Sequence, residues 1–300
     1  MFQLRNFILL GTLFAVVAST ACKDTSNDRK TYQVKGVVQE LKPQQKTVVI
    51  QHEKIPGYMD AMTMPFEVKD GKELDGLQPG DTVAFRMIVT KKEGWIDQIK
   101  KLASATPVPT PPKLPDSTRI VREVEPLNIG DVVANYPFTN ELGQAVSLDQ
   151  FRGRAVAITF IFTRCPFPSF CPRMTSHFAT VQNKLKSISN APTNWHLLTI
   201  TFDIETDTPA VLKQYALRQK YDPNHWSFLT GALIDIDALT EQVGLQFWKQ
   251  AGSINHNLRT LVVDTQGRLQ RVFKDNAWEP DELAEEITKA AAVKPLETGK

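Results

Sequence analysis

The chain has 300 residues, with 35 lysines and arginines against 33 aspartates and glutamates, a formal net charge of +2. That length accommodates about two domains. A near-neutral balance without a long basic run gives nucleic-acid binding little support.

The N-terminus reads as an export signal over residues 1–22. Arg5 supplies the positive charge, and the apolar stretch from Phe7 to Ala18 is too short to span a bilayer. The small residues Ser19, Thr20 and Ala21 then lead into Cys22. A cysteine in that setting resembles the lipobox of bacterial lipoproteins, in which the cysteine is acylated after cleavage, although Ser19 departs from the larger aliphatic preferred there. The alternative is an ordinary cleaved signal with an incidental cysteine. The lipoprotein reading places the mature chain on the periplasmic or cell-envelope side, lipid-anchored to a membrane through Cys22 and a polar tether at 23–31. Cys165 and Cys171 are then the remaining thiols, and an oxidising compartment permits a disulfide between them.

Residues 32–102 read as all-β. YQVKGVVQEL, KTVVIQ, MTMPFEV, TVAFRMIVT and GWIDQIKKL are short β-branched or alternating runs, separated by the turn signals KPQQK, KDGKEL and LQPGD. Five short strands in about seventy residues predict a small closed or partly open barrel. Within it, HEKIPGYMDAMTMPF concentrates Met59, Met62 and Met64, three of the six methionines. On a strand, Met62 and Met64 point to one face, and taken alone they read first as core fillers. Together with His52 and the AMTMPF phrase, the segment resembles the CusF-type periplasmic copper-binding domain, an OB-like barrel. The resemblance implies His52, Met62 and Met64 as ligands for Cu(I). Met59 stands where that family carries a tryptophan over the metal, so Met59 is a further candidate thioether donor. Thioethers are soft donors suited to Cu(I), and they cannot be lost to disulfide formation.

Residues 103–125 form a proline-rich linker, with five prolines in the eleven residues ATPVPTPPKLP. Residues 126–293 alternate strands and helices and predict an α/β domain, ahead of a short tail at 294–300. RAVAITFIFT is a continuous apolar run expected of a buried central strand, and WHLLTITFD is a second strand. Helices are expected over Pro172 to Ser187, from Thr208-Pro209 onward, over Asp235 to Val243 and over Pro280 to Ala292, with a hairpin of LRTLVVDT and RLQRVF around TQG. His177, His196 and His225 read as structural or exposed, and Trp195, Trp226 and Trp248 as core.

The stretch FTRCPFPSFCPRM holds Cys165 and Cys171 with five residues between them. Pro172 suits the first position of a helix, so Cys171 is expected at a helix N-terminus, where the dipole favours a thiolate. The pair also follows a buried strand, where open α/β sheets place their sites. On residue type alone, a redox pair, a metal site and a structural clamp all remain open. IGDVVANYPFTNELGQAVSLDQFRGR, FTRCP…CPRM, TITFDIETDTP and NHNLRTLVVDTQGRL, in that order, resemble the Sco/SenC family, which has a thioredoxin-like fold. That resemblance implies copper binding by Cys165, Cys171 and His256, with the cysteines also able to form a disulfide. The usual spacing in that family is three residues between the cysteines, and this chain has five. Asp203 matches a residue close to the site, and reads either as a group that orients His256 or tunes its charge or as a strand-end carboxylate in water. Two thiolates and an imidazole suit a thiophilic metal such as Cu(I); zinc competes on ligand type but wants a fourth donor.

The expectation is therefore a lipid-anchored copper metallochaperone serving a respiratory oxidase subunit or another copper carrier. The alternatives are a thiol–disulfide oxidoreductase using Cys165 and Cys171, and a periplasmic copper resistance protein.

Overall fold

The computed structural model describes residues 29–91, 93–104, 124–189, 191–250 and 253–294. The export segment with Cys22, the proline-rich stretch 105–123 and the tail from 295 lie outside the described residues. No helix among those described is long and apolar enough to cross a membrane.

Five antiparallel strands build the first half: β1 (Lys30–Lys42), β2 (Thr47–His52), β3 (Met62–Glu67), β4 (Thr82–Val89) and β5 (Gly94–Ala103). Their spatial order is β3-β2-β1-β4-β5. In β4 the period of two is plain: Val83, Phe85 and Met87 are buried, and the residues between them are half-exposed. A register shift between Val38 and Glu40 kinks the long β1. A bridge from Val68 to Ile96 then brings the end of β3 against β5. Those two features curl the sheet into the expected barrel around Val38, Ile50, Phe66 and Phe85.

The second half is an α/β domain. Its strands are β6 (Pro137–Asn140), β7 (Ala145–Ser147), β8 (Ala155–Ile161), β9 (Trp195–Thr201), β10 (Trp226–Thr230), β11 (Phe247–Gln250), β12 (Ser253–His256), β13 (Arg259–Val263) and β14 (Leu269–Lys274); its helices are α1 (Cys171–Ser187), α2 (Pro209–Arg218), α3 (Leu233–Gln242) and α4 (Pro280–Ala291). Seven strands form one sheet in the order β14-β13-β8-β9-β10-β6-β7. The centre is parallel, β8 with β9 and β9 with β10, and every residue of β8 and β9 is buried. Helices α1 and α4 pack against β8, and α1 also against β9, which fits the continuous apolar run of covered central strands. β11 and β12 form a separate two-stranded ribbon.

The two halves are packed together. Tyr58 donates its hydroxyl to the carbonyl of Pro166 at 2.8 Å. Ser169 Oγ accepts from the Gly94 amide at 3.1 Å and donates to the Gly94 carbonyl at 3.0 Å. Arg173 forms a two-pronged ion pair with Glu67, Asn276 bridges Glu67 and the Ser169 carbonyl, and Lys42 reaches Asp275 at 2.8 Å. Phe167 lies over Gly94, where an added Cβ would stand 2.7 Å from its ring, and meets Phe66 edge-on at 6.0 Å. Pro166, Phe167 and Ser169 all belong to the loop between the two cysteines. The five-residue spacing thus does a job that the sequence does not announce: it is the surface on which the barrel docks.

Candidate metal centre

The cysteine loop leaves the C-terminal end of β8, at the parallel centre of the sheet. Its first turn is held by Asp207, which is fully buried. Asp207 accepts from the Thr163 amide at 2.9 Å, the Thr163 hydroxyl at 2.5 Å and the Thr201 hydroxyl at 2.6 Å. One carboxylate thereby ties the end of β8 to the end of β9. The loop ends where Cys171 becomes the first residue of α1, followed by Pro172.

Cys165, Cys171 and His256 converge. Their ligand atoms, two Sγ and one imidazole nitrogen, all lie within 4.8 Å of one another, and Cys171 Sγ is 3.8 Å from His256 Nε2. Both thiols are free. His256 ends β12, and its Nδ1 donates to the Asn257 carbonyl at 2.9 Å, which leaves the Nε2 lone pair facing the sulfurs. Three phenylalanines fix the ring: Phe162 at 5.6 Å, Phe170 at 5.7 Å and Phe202 at 5.0 Å between centroids. Sequence reasoning did not single these rings out, although Phe162 and Phe170 flank the cysteines in the quoted stretch.

The electrostatics of the pair differ from the expectation drawn from the helix dipole. Burial pushes the Cys171 thiol well above its ordinary value, and the neighbouring Cys165 adds to that rise. Burial opposes ionisation at Cys165 as well, but the Cys171 S–H and the imidazole of His256 outweigh it and hold Cys165 well below the usual thiol range. Cys171 is fully buried and Cys165 half-buried, so the thiolate is favoured on the more exposed sulfur.

Asp203 does not orient His256. It is buried and pairs with Arg164 at 2.8 Å, and the histidine takes its orientation from Asn257. His196 bonds to Ser227, His225 stacks on Trp195 and His177 meets Trp278 edge-on, all structural. Trp195 and Trp226 are core residues, whereas Trp248 lies half-exposed on the two-stranded ribbon, apart from the main sheet.

In the barrel, His52 ends β2 directly opposite Met62 on β3, and Met64 stands opposite Ile50. All of these face inward. His52 is 2 % exposed. Its Nδ1 donates to the Glu53 carbonyl at 2.6 Å, and its Nε2 is buried with no hydrogen-bond partner. Burial lowers its pKa despite the opposing pull of Glu53, so the ring is neutral and Nε2 carries a lone pair. A buried polar nitrogen left unpaired is costly; beside two thioethers it has the character of a soft-metal donor. Met59 sits in the tight turn closed by the Ile55–Met59 bridge and is 7 % exposed. The two histidines are alike in one respect: each gives Nδ1–H to the carbonyl of the next residue.

The two groups of donors meet. A single cavity between the halves is lined by Met59, Met62 and Met64 from the barrel, by Cys165 and His256 from the α/β domain, and by the rings of Phe162, Phe167 and Phe170. Among the described residues no fourth histidine, cysteine or carboxylate joins the Cys165–Cys171–His256 cluster. The added donors are thioethers, which suit copper better than zinc.

Comparison with known proteins accords with this division. Residues 125–292 match the family model SCO1/SenC, and residues 31–101 match the model "Copper binding periplasmic protein CusF". An SCO1 protein homolog of Bacillus subtilis is 35% identical over 107 residues, 36% of this chain, which thereby spans about half (52%) of that relative. Among solved structures, BsSco, a member of the Sco family of cytochrome c oxidase assembly proteins, is 24% identical. The match covers 57% of this chain and 99% of that one, with a TM-score of 0.49. Copper-bound yeast Sco1 is 20% identical over 57% of this chain and 95% of its own, with a TM-score of 0.46.

Proposed function

This chain belongs to the SCO1/SenC family, and we propose that it is an extracytoplasmic copper metallochaperone, anchored through lipid on Cys22, with Cys165, Cys171 and His256 as one ligand set and His52, Met62 and Met64 as the other. The observation that carries the reading is the convergence of two sulfurs and one imidazole nitrogen within 4.8 Å, from residues up to 91 positions apart in the chain. Soft thiolates, an imidazole and thioethers in an apolar enclosure select Cu(I). The client is a copper centre of a respiratory oxidase or another copper carrier. The test is a Cu(I) titration of reduced protein against a competing chelator, repeated with His256→Ala. Affinity should fall roughly 10-fold or more, since even the loss of a positioning partner weakens metal sites by that factor. Unchanged affinity would reject the three-ligand site.

One observation favours a second reading. Cys165 is the more exposed thiol and the one with thiolate character, as expected of an attacking sulfur. In a thiol–disulfide oxidoreductase it would open a partner's disulfide, Cys171 would displace the partner's thiol, and an upstream dithiol donor would return the two electrons. A reductase would lose function in either Cys→Ser variant and keep it in Met62→Ala/Met64→Ala; a copper carrier would lose bound metal in both.

A further inference from the structure

We propose that the docked halves hold one shared copper site, in which Cu(I) bound by Cys165 and His256 also takes a thioether from the methionines of the barrel. The proposal rests on the copper reading above and adds that the two ligand sets are not independent.

Three observations converge on it. First, Met59, Met62 and Met64 line the same cavity as Cys165 and His256. That cavity has a volume of about 20 Å³, room for roughly one water-sized species. One ion fits between the thioethers and the Cys165–His256 pair there. Second, the cluster of Cys165, Cys171 and His256 contains three donors, with no fourth from histidine, cysteine or carboxylate among the described residues. The thioethers are the soft atoms that face it. Third, His52 does not line the cavity but stands opposite Met62 across the β2–β3 ladder, with an unpaired Nε2. Met62 therefore stands at the boundary between the barrel's own imidazole and the chamber that holds the other one.

This arrangement gives copper a path by ligand exchange. The ion leaves His52 while still held by thioether, gains the Cys165 thiolate and His256, and then Cys171. Copper remains Cu(I) throughout, and no electron moves. Cys171 gives up its thiol proton to solvent as its sulfur binds. The apolar rings around the chamber keep water from competing for the ion between donors. Docking by the inter-cysteine loop holds the two sets in register: Phe167 fills the niche at Gly94, and Ser169 clasps the Gly94 backbone from both sides.

The experiment is an anaerobic Cu(I) titration of the reduced full chain against a chromophoric Cu(I) chelator, read as stoichiometry and affinity. One tight equivalent is expected. The double variant Met59→Leu/Met62→Leu, nearly volume-conserving, should weaken that equivalent roughly 10-fold or more. Gly94→Val drives the Phe167 ring from its niche without touching any donor, and should convert the protein to two equivalents that bind independently. Arg173→Glu sets a carboxylate against Glu67 and is the second undocking variant should Gly94→Val fail to fold. Two independent equivalents in the unaltered chain, with the tighter one indifferent to the methionine substitutions, would overturn the shared site and leave the metallochaperone reading standing. Full affinity for the first equivalent in Cys165→Ser/Cys171→Ser would overturn the shared site and the place of those sulfurs in the ligand set, and no Cu(I) binding by the unaltered chain would overturn the copper reading itself.

Discussion

Phe167→Ala isolates the docking of the barrel. The ring is 3 % exposed and sits between two sets of neighbours. On its own side it meets Phe170 at 5.5 Å; on the barrel side it covers Gly94 and meets Phe66. Truncating a buried phenylalanine costs about 3–5 kcal/mol. Assigning roughly half to the barrel side gives about 2 kcal/mol, a shift of roughly 30-fold in the docked population at about 1.4 kcal/mol per factor of ten. The reporter is the Gly94 amide, which donates to Ser169 Oγ across the interface. Its hydrogen exchange, followed by NMR, should accelerate by roughly that factor. Amides of β8, buried in the centre of the sheet, should keep their protection. Unaltered exchange at Gly94 would refute the docking role of Phe167. Equal acceleration in β8 would show that the ring supports the fold of its own domain and not the clasp.

Asp207→Asn should cost about 3 kcal/mol in urea unfolding, because an amide NH2 turns towards hydroxyl donors that now meet a carboxylate; a loss below about 1 kcal/mol would remove Asp207 as the tie between β8 and β9. Burial lowers His196 to about 3 and His177 to about 4, both from 6.5. The unfolded chain therefore takes up protons below about pH 6.5 that the folded chain refuses, so stability is full above that pH and falls as pH drops towards those folded-state values, by up to about 1.4 kcal/mol per pH unit for each histidine. His196→Gln should flatten the difference between urea midpoints at about pH 7 and pH 5, and an identical difference in the variant would refute that assignment. Oxidising the dithiol with diamide, which accepts the two hydrogens, should give an intramolecular Cys165–Cys171 disulfide and abolish the tight Cu(I) equivalent until a reductant is added; full Cu(I) affinity in the oxidised protein would exclude the sulfurs as ligands.

The long, strongly patterned elements were legible in the sequence. All five barrel strands, β8, β9, the β13–β14 hairpin and the four helices lie within a few residues of where alternation, apolar runs and turn residues put them. The short strands were not: β6, β7, β11 and β12 have three or four residues each, fewer than a period-two pattern needs to declare itself, and their partners supply most of their order. The candidate ligands, His256 and Met62 among them, could be named from motif context alone. Their meeting could not, because nothing local in AMTMPF or SINHNLRT encodes which surfaces of two domains face one another. The inter-cysteine loop shows why. Read alone, its extra length is a departure in spacing; only the niche at Gly94, more than seventy residues earlier in the chain, gives Phe167 a reason to be there. Asp203 is the converse case: of the two readings open for it, the structure pairs it with Arg164 and gives His256 its orientation from Asn257.

Cys171 lies wholly beneath the surface, and its half-covered neighbour opens towards the barrel. An acceptor protein that needs those sulfurs must come to the face the barrel already occupies. If the chain hands copper on as proposed, delivery and docking are rivals for one patch of the molecule, and the tightness of the clasp sets how often the metal is on offer. A chain with a looser clasp would release metal readily and guard it poorly; one with a firmer clasp would guard it well and release it only to a recipient able to prise the halves apart.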